Sequence, residues 1–228
     1  MKLRFFTSIF LLSAVWVMAA TTPLAVVVRF KGEVLAGPET AMKPATAGLV
    51  LMDGTRLRTG SDGRALVRFL ADQSITEIKP GTTVDFSSRE RGDGQGTARQ
   101  VLLRAGEAAF GVTPGKGRDL RFETATTVAS VRGTGFNMLL SLDGKTTIYV
   151  EHGVVHVCNK STGESRNLNP GESINSGWDG LFADSTSHPR LDTLKVDSIH
   201  VQKMEIDFHQ PVTGTTSTLG LGTVELHP

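Results

Sequence analysis

Between Gly48 and Phe86, turn signals recur at intervals of eight to ten residues: Asp53-Gly54, Asp62-Gly63, Ala71-Asp72-Gln73 and Lys79-Pro80-Gly81. Asp-Gly favours a tight reversal and Pro offers no N–H to a ladder, so the segments between these signals must be short. Each segment alternates apolar and polar residues, which predicts strands over Thr55–Arg58, Ala65–Leu70, Ile75–Ile78 and Thr83–Phe86. In Ala65-Leu66-Val67-Arg68-Phe69, the residues Ala65, Val67 and Phe69 fall on one face while Arg68 falls on the other. That is the pattern of a strand with one buried side.

A second block, Thr124 to Cys158, has the same build around Ser130-Val131-Arg132-Gly133-Thr134-Gly135-Phe136. A strand runs over Phe136–Leu140, the turn Leu142-Asp143-Gly144-Lys145 reverses it, and Thr146–Glu151 returns. His152-Gly153 breaks that strand, and Val154–Val157 begins the next. Elsewhere strands are expected over Leu24–Phe30, Leu120–Glu123 and, on either side of Gly106, Val101–Arg104 and Glu107–Val112. Two more are framed by Thr162-Gly163 and Asn169-Pro170-Gly171. Ser87–Arg99 is charged and glycine-rich with no apolar residue but Ala98, and reads as a mobile surface loop.

A weak internal echo runs through the chain. Gly54-Thr-Arg-Leu57-Arg-Thr59-Gly60 matches Gly171-Glu-Ser-Ile174-Asn-Ser176-Gly177, and Gly81-Thr-Thr-Val84 opens in the same way. Each sets a glycine at a corner and an inward apolar residue three positions on. The expected class is all-β: a solenoid-like stack of short strands with tight glycine turns, or alternatively a β-sandwich. Spacing alone does not choose between the two.

Lys2 and Arg4 precede an apolar segment, Phe5 to Met18, that ends in small residues at Ala19 and Ala20. The segment is shorter than the roughly 20 residues that span a bilayer, so residues 1–20 read as a cleaved signal peptide. Residues 21–184 then form the β domain. Residues 185–228 form a C-terminal extension, edge strands followed by a flexible Thr/Gly-rich tail. The expected location is periplasmic or secreted, with no stable membrane span after cleavage. Twenty-four Lys and Arg against 23 Asp and Glu leave a formal charge of +1, which argues against nucleic acid as a partner. Cys158 is the single cysteine, so no internal disulfide can form and core burial must hold the domain together.

Gly48-Leu-Val-Leu-Met-Asp53-Gly54-Thr-Arg-Leu57-Arg-Thr59-Gly60 and Gly63-Arg-Ala-Leu-Val-Arg-Phe69 resemble the FecR domain, as do Val131-Arg132-Gly133-Thr134-Gly135-Phe136 and Val150-Glu151-His152-Gly153-Val154. The resemblance covers roughly residues 24 to 177 and implies an all-β, solenoid-like module exported to the envelope of a Gram-negative bacterium. It also implies contact with another envelope protein. Well-known members add a cytoplasmic anti-sigma segment and a membrane helix. Here only four residues precede the apolar segment, so direct sigma-factor control is not expected.

Several constellations were weighed for chemistry. His152 and His156, four apart on a strand, would share a face yet lie about 13 Å apart, too far for one metal. Arg132 could take an anion; the alternative is a partly buried Arg tied to Glu123, Glu151 or Glu172, with Gly133 and Gly135 allowing close backbone approach. Thr134 and Phe136 complete this structural motif. Glu151 and His152 are adjacent on a strand and so point to opposite faces. Trp178 and Phe182, in a Gly/Asp-rich loop, could form an exposed aromatic contact for a protein or sugar, or pack over the end of the domain. No nucleophile elbow, zinc-helix motif or phosphate loop is present. No cofactor and no catalysis are therefore expected. The leading reading is a non-catalytic envelope module, against a polysaccharide-binding module or a cupin-like metalloenzyme.

Overall fold

The computed structural model of the chain describes residues 22–90, 97–114, 120–180 and 182–183. Residues 1–20, read from the sequence as a signal peptide, and residues 185–228, read as an extension, lie outside the described residues. The chain begins with β1 (Pro23–Lys31), β2 (Val34–Gly37), β3 (Lys43–Pro44), β4 (Val50–Met52) and β5 (Thr55–Thr59). Next come β6 (Arg64–Phe69), β7 (Ile75–Ile78), β8 (Thr83–Glu90) and the long β9 (Thr97–Gly111). Then follow β10 (Leu120–Glu123), β11 (Thr127–Val131), β12 (Gly135–Leu140) and β13 (Thr146–His152). The last are β14 (Val155–Asn159), β15 (Ser165–Leu168), β16 (Ser173–Ser176) and β17 (Phe182–Ala183). The class is all-β, as the alternation predicts.

The strands pair into two sheets that share β9. The first runs β4-β1-β6-β7-β9-β12-β13-β16-β17. The second runs β3-β2-β5-β8-β9-β10-β11-β14-β15. Neither order returns to its first strand, so no barrel closes. From β10 onward, hairpins fall alternately in the second and first sheets, the winding that repeated glycine corners impose. Among the described residues every pairing except β9–β10 is antiparallel. The stack therefore lacks the parallel coils of a regular solenoid, and its two sheets share one apolar interior in the manner of the sandwich alternative.

Alternation fills that interior. Ala65, Val67 and Phe69 are buried, and Arg68 stays outside. In the echoed segments Gly54, Gly81 and Gly171 all have positive φ, and Leu57, Val84 and Ile174 beyond them are fully buried. The strands read separately as Val101–Arg104 and Glu107–Val112 are one strand, β9, which passes from the second sheet to the first at Gly106. Gly106 has φ +84°, and a Cβ there would sit 2.7 Å from the Cα of Thr82, so the bend admits glycine alone.

The supposed loop at Ser87–Arg99 is corrected at both ends. β8 and β9 stay paired from Ser87↔Gln100 out to Glu90↔Thr97. This part of the hairpin lacks apolar alternation because side-chain hydrogen bonds fasten it: both the N–H and the hydroxyl of Ser88 donate to Asp53, each at 2.8 Å. Arg99 is itself buried against Asp72 and stacks over the Phe69 ring at 5.5 Å.

Candidate interaction groove

The segment Arg132–Phe136 carries the chain from β11 in the second sheet to β12 in the first. Gly133 turns at φ +66°, where a Cβ would come within 2.7 Å of Pro114 Cγ. Thr134 is fully buried; its N–H and C=O lie at the crossover, and Val112 N–H donates to the carbonyl at 2.8 Å. Its hydroxyl finds no partner among the described residues, so the methyl does its packing. That methyl lies under Gly153 (φ +78°), whose Cβ would fall 2.5 Å from Thr134 Cγ2 and 2.7 Å from the Gly133 carbonyl oxygen. Gly135 supports the His152 ring so closely that any side chain there would overlap it. Phe136 then enters the core beside Phe110 and Phe122. The crossover is thus two backbone stretches pressed together without Cβ atoms. Gly153→Ala should cost about 2 kcal/mol or more, through both the left-handed φ and the backbone overlap. Urea unfolding at constant m-value would measure this; a loss below about 0.5 kcal/mol would mean that the segments can part freely.

The outward end of the same crossover carries the candidate site. Register sets Arg121 of β10 opposite Ser130 of β11, and Ser130 opposite His156 of β14. Arg132, two residues beyond Ser130, joins them at the rim of a groove of about 420 Å³. Val154 supplies its exposed apolar wall, while Leu120 and Val131, which also border it, turn their side chains into the core. His156 is fixed by Asn167, with 2.9 Å between Nδ1 and the amide oxygen. Arg132 is exposed rather than locked as the alternative held, because its three candidate carboxylates are taken. Lys160 Nζ donates to Glu123 at 2.6 Å, Asn137 Nδ2 to Glu151 at 2.9 Å, and the Asn169 N–H to Glu172 at 2.7 Å. Among the described residues neither Arg121 nor Arg132 has an ion-pair partner.

Elsewhere on the second sheet Asp85 pairs with both Arg56 and Arg104. Burial would raise the Asp85 carboxyl, yet hydrogen bonds from Arg56 and Arg104 hold it below the usual carboxylate range. The Asp85 contact in turn holds the Arg56 guanidinium above its ordinary value.

The two histidines do not meet: His152 ends β13 in the first sheet, and His156 sits on β14 in the second. Among the described residues, no group of three or more His, Cys, Asp or Glu is arranged to hold a metal. Trp178 does not pack into the end of the domain; it is 64% exposed and lies over the β12–β13 turn at Gly144. Phe182 falls in strand β17 rather than a loop, and its side chain is outside the described residues.

Two polar anchors escaped the sequence reading. Asn159, fully buried, donates through Nδ2 to the Ser176 hydroxyl at 2.7 Å and the Gly177 carbonyl at 3.0 Å. Its Oδ1 accepts from the N–H groups of Ser161 and Thr162. The other anchor is the Arg99–Asp72 pair. Its sequence signal is the inward register Arg99, Val101, Leu103, in which an arginine takes an apolar position.

Residues 55–156 match the family model described as FecR protein, which bears out the resemblance drawn from the sequence. The groove lies inside that span. Among curated proteins none matches this chain. The chain is also similar to two crystal structures, at 2.50 and 1.65 Å resolution, of a protein from Parabacteroides distasonis assigned as an anti-sigma factor. Identity is 22% in both, the TM-scores are 0.47 and 0.46, and the match covers 56% of this chain and 57% of each of those. The chain therefore spans little more than half the length of those proteins.

Proposed function

We propose that this chain, whose residues 55–156 match the FecR family model, is an exported non-catalytic module that docks another protein of the cell envelope in a signalling or regulatory assembly. The observation that carries the reading is the placement of unpaired cationic groups in a groove within the matched span. Groups that the fold does not use for its own pairing are free to recognise a partner. Export rests on the leader at residues 1–20. Freedom from catalysis rests on the sequence, which carries no nucleophile elbow, zinc-helix motif or phosphate loop.

A photo-crosslinking amino acid at Ser130, with a control at Arg68 on the outward face of the first sheet, tests this in cells. The expected result is a covalent adduct with one envelope protein from Ser130 and none from Arg68. Equal labelling from both positions, or none from either, would sink the reading. A second reading draws on Trp178, whose exposure suits stacking on a sugar ring. Sedimentation with purified cell wall that Trp178→Ala abolishes would favour it. A stoichiometric transition metal in the purified protein would instead favour a metalloenzyme.

A further inference from the structure

Arg121, Ser130 and His156 form one row across three adjacent strands of the second sheet, with Arg132 diagonal to it. Three strands span about 10 Å, the length of roughly three extended residues. At about 420 Å³ the groove has the size of a small-ligand site. Its charged groups are of one kind. The two guanidinium groups only donate, Ser130 can donate, and no carboxylate lines the groove. His156 Nδ1 donates to the Asn167 amide oxygen, which leaves Nε2 of the neutral ring as an acceptor that offers a carboxylate nothing. Planar forked donors of this sort match a carboxylate.

The rest of the wall narrows the choice. Of its aliphatic residues, Leu120 and Val131 turn their side chains into the core, and Val154, 47% exposed, is the apolar surface a ligand would meet. No aromatic residue lines the groove, so no platform exists for stacking a sugar ring. An anionic lipid headgroup or a phosphate would use the charges without needing the aliphatic wall.

We propose that this groove binds an extended acidic peptide segment, one carboxylate held between Arg121 and Arg132 and a neighbouring aliphatic side chain against Val154. The proposal rests on the protein-docking reading above and names the chemistry of the partner's contacting segment. Ser130 orients the carboxylate; the two arginines supply the charge.

The test uses the full chain and a fluorescein-labelled hexapeptide, Gly-Leu-Asp-Leu-Asp-Gly, read by fluorescence anisotropy. Its Asn counterpart and phosphatidylglycerol vesicles serve as separate arms. Arg121→Gln and Arg132→Gln should each weaken binding of the Asp peptide about tenfold, the loss expected from one charge-assisted hydrogen bond. The Asn peptide should bind at least as weakly. Arg58→Gln, exposed on the same sheet but three strands away, should stay within about twofold of wild type. Since both groove arginines are exposed, folding should survive; affinity of the unaltered protein, falling as NaCl rises, gives a second readout. Equal binding of the Asp and Asn peptides would overturn the proposal, as would indifference to both substitutions or binding to vesicles alone. If the peptide fails while Ser130 still crosslinks to an envelope protein, the carboxylate chemistry falls and the docking reading stands.

Discussion

Replacing Phe136 by Ala will remove about 3–5 kcal/mol of folding stability. The ring is 1% exposed and sits 5.0 Å, centroid to centroid, from both Phe110 and Phe122. Phe110 belongs to the part of β9 in the first sheet, and Phe122 to β10 in the second. Phe136 therefore joins the two sheets at the point where the chain crosses between them. The neighbours cannot collapse into the space it leaves, because the glycine-lined crossover fixes the backbone on either side. A domain of this size holds only about 5–15 kcal/mol in total, so the melting temperature should fall on the order of 10 °C. Phe136→Leu, which keeps more apolar volume, should lose less. A double-mutant cycle with Phe122→Leu should return a coupling of about 0.5–1.5 kcal/mol for the edge-to-face pair. A loss below about 1 kcal/mol together with zero coupling would mean that the rings do not form a packed cluster.

How far the sequence reaches follows from what kind of contact each feature uses. Ala65, Val67 and Phe69 were legible because their spacing is local and their burial is uniform. The corner glycines at 54, 81 and 171 were legible because a left-handed turn and a buried residue three positions on leave a repeated mark. The outer part of the β8–β9 hairpin was not legible. Its strands are held by ladder bonds and by Asp53, a residue distant in sequence, and neither leaves a hydrophobic period. The groove was half legible. Arg132 stood out beside its glycines, but Arg121 and His156 come beside it only through the β10–β11 and β11–β14 pairings. The expected lock on Arg132 failed for the same reason. Which cation takes Glu123 depends on where Lys160 lands, and that is decided by the turn after β14.

The buried Arg99–Asp72 pair gives the second large effect, and its size depends on pH. Each side chain is 8% exposed, and the guanidinium also covers the Phe69 ring. Removing one partner strands the other's charge in a site that water scarcely reaches, so Arg99→Leu or Asp72→Asn should each cost about 3–5 kcal/mol at neutral pH. The double variant Arg99→Leu with Asp72→Leu should cost much less than the sum, since no unpaired charge remains. Burial by itself would raise the Asp72 carboxyl; the hydrogen bonds from Arg99 and the Ser74 N–H overcome it and hold the group below the usual carboxylate range. The unfolded chain thus takes up this proton more readily than the folded one. The stabilisation is complete above the ordinary carboxyl value of about 3.9 and is lost as pH falls through the lower folded value. Asp85, shifted in the same direction, keeps part of that acid dependence in any Asp72 variant. Urea unfolding at pH 7 and at steps below pH 4 should therefore show Asp72→Asn already weakened at neutrality and declining less steeply in acid than the unaltered protein. Equal stability at pH 7 with an unchanged acid slope would place the anchoring of β9 somewhere other than this pair.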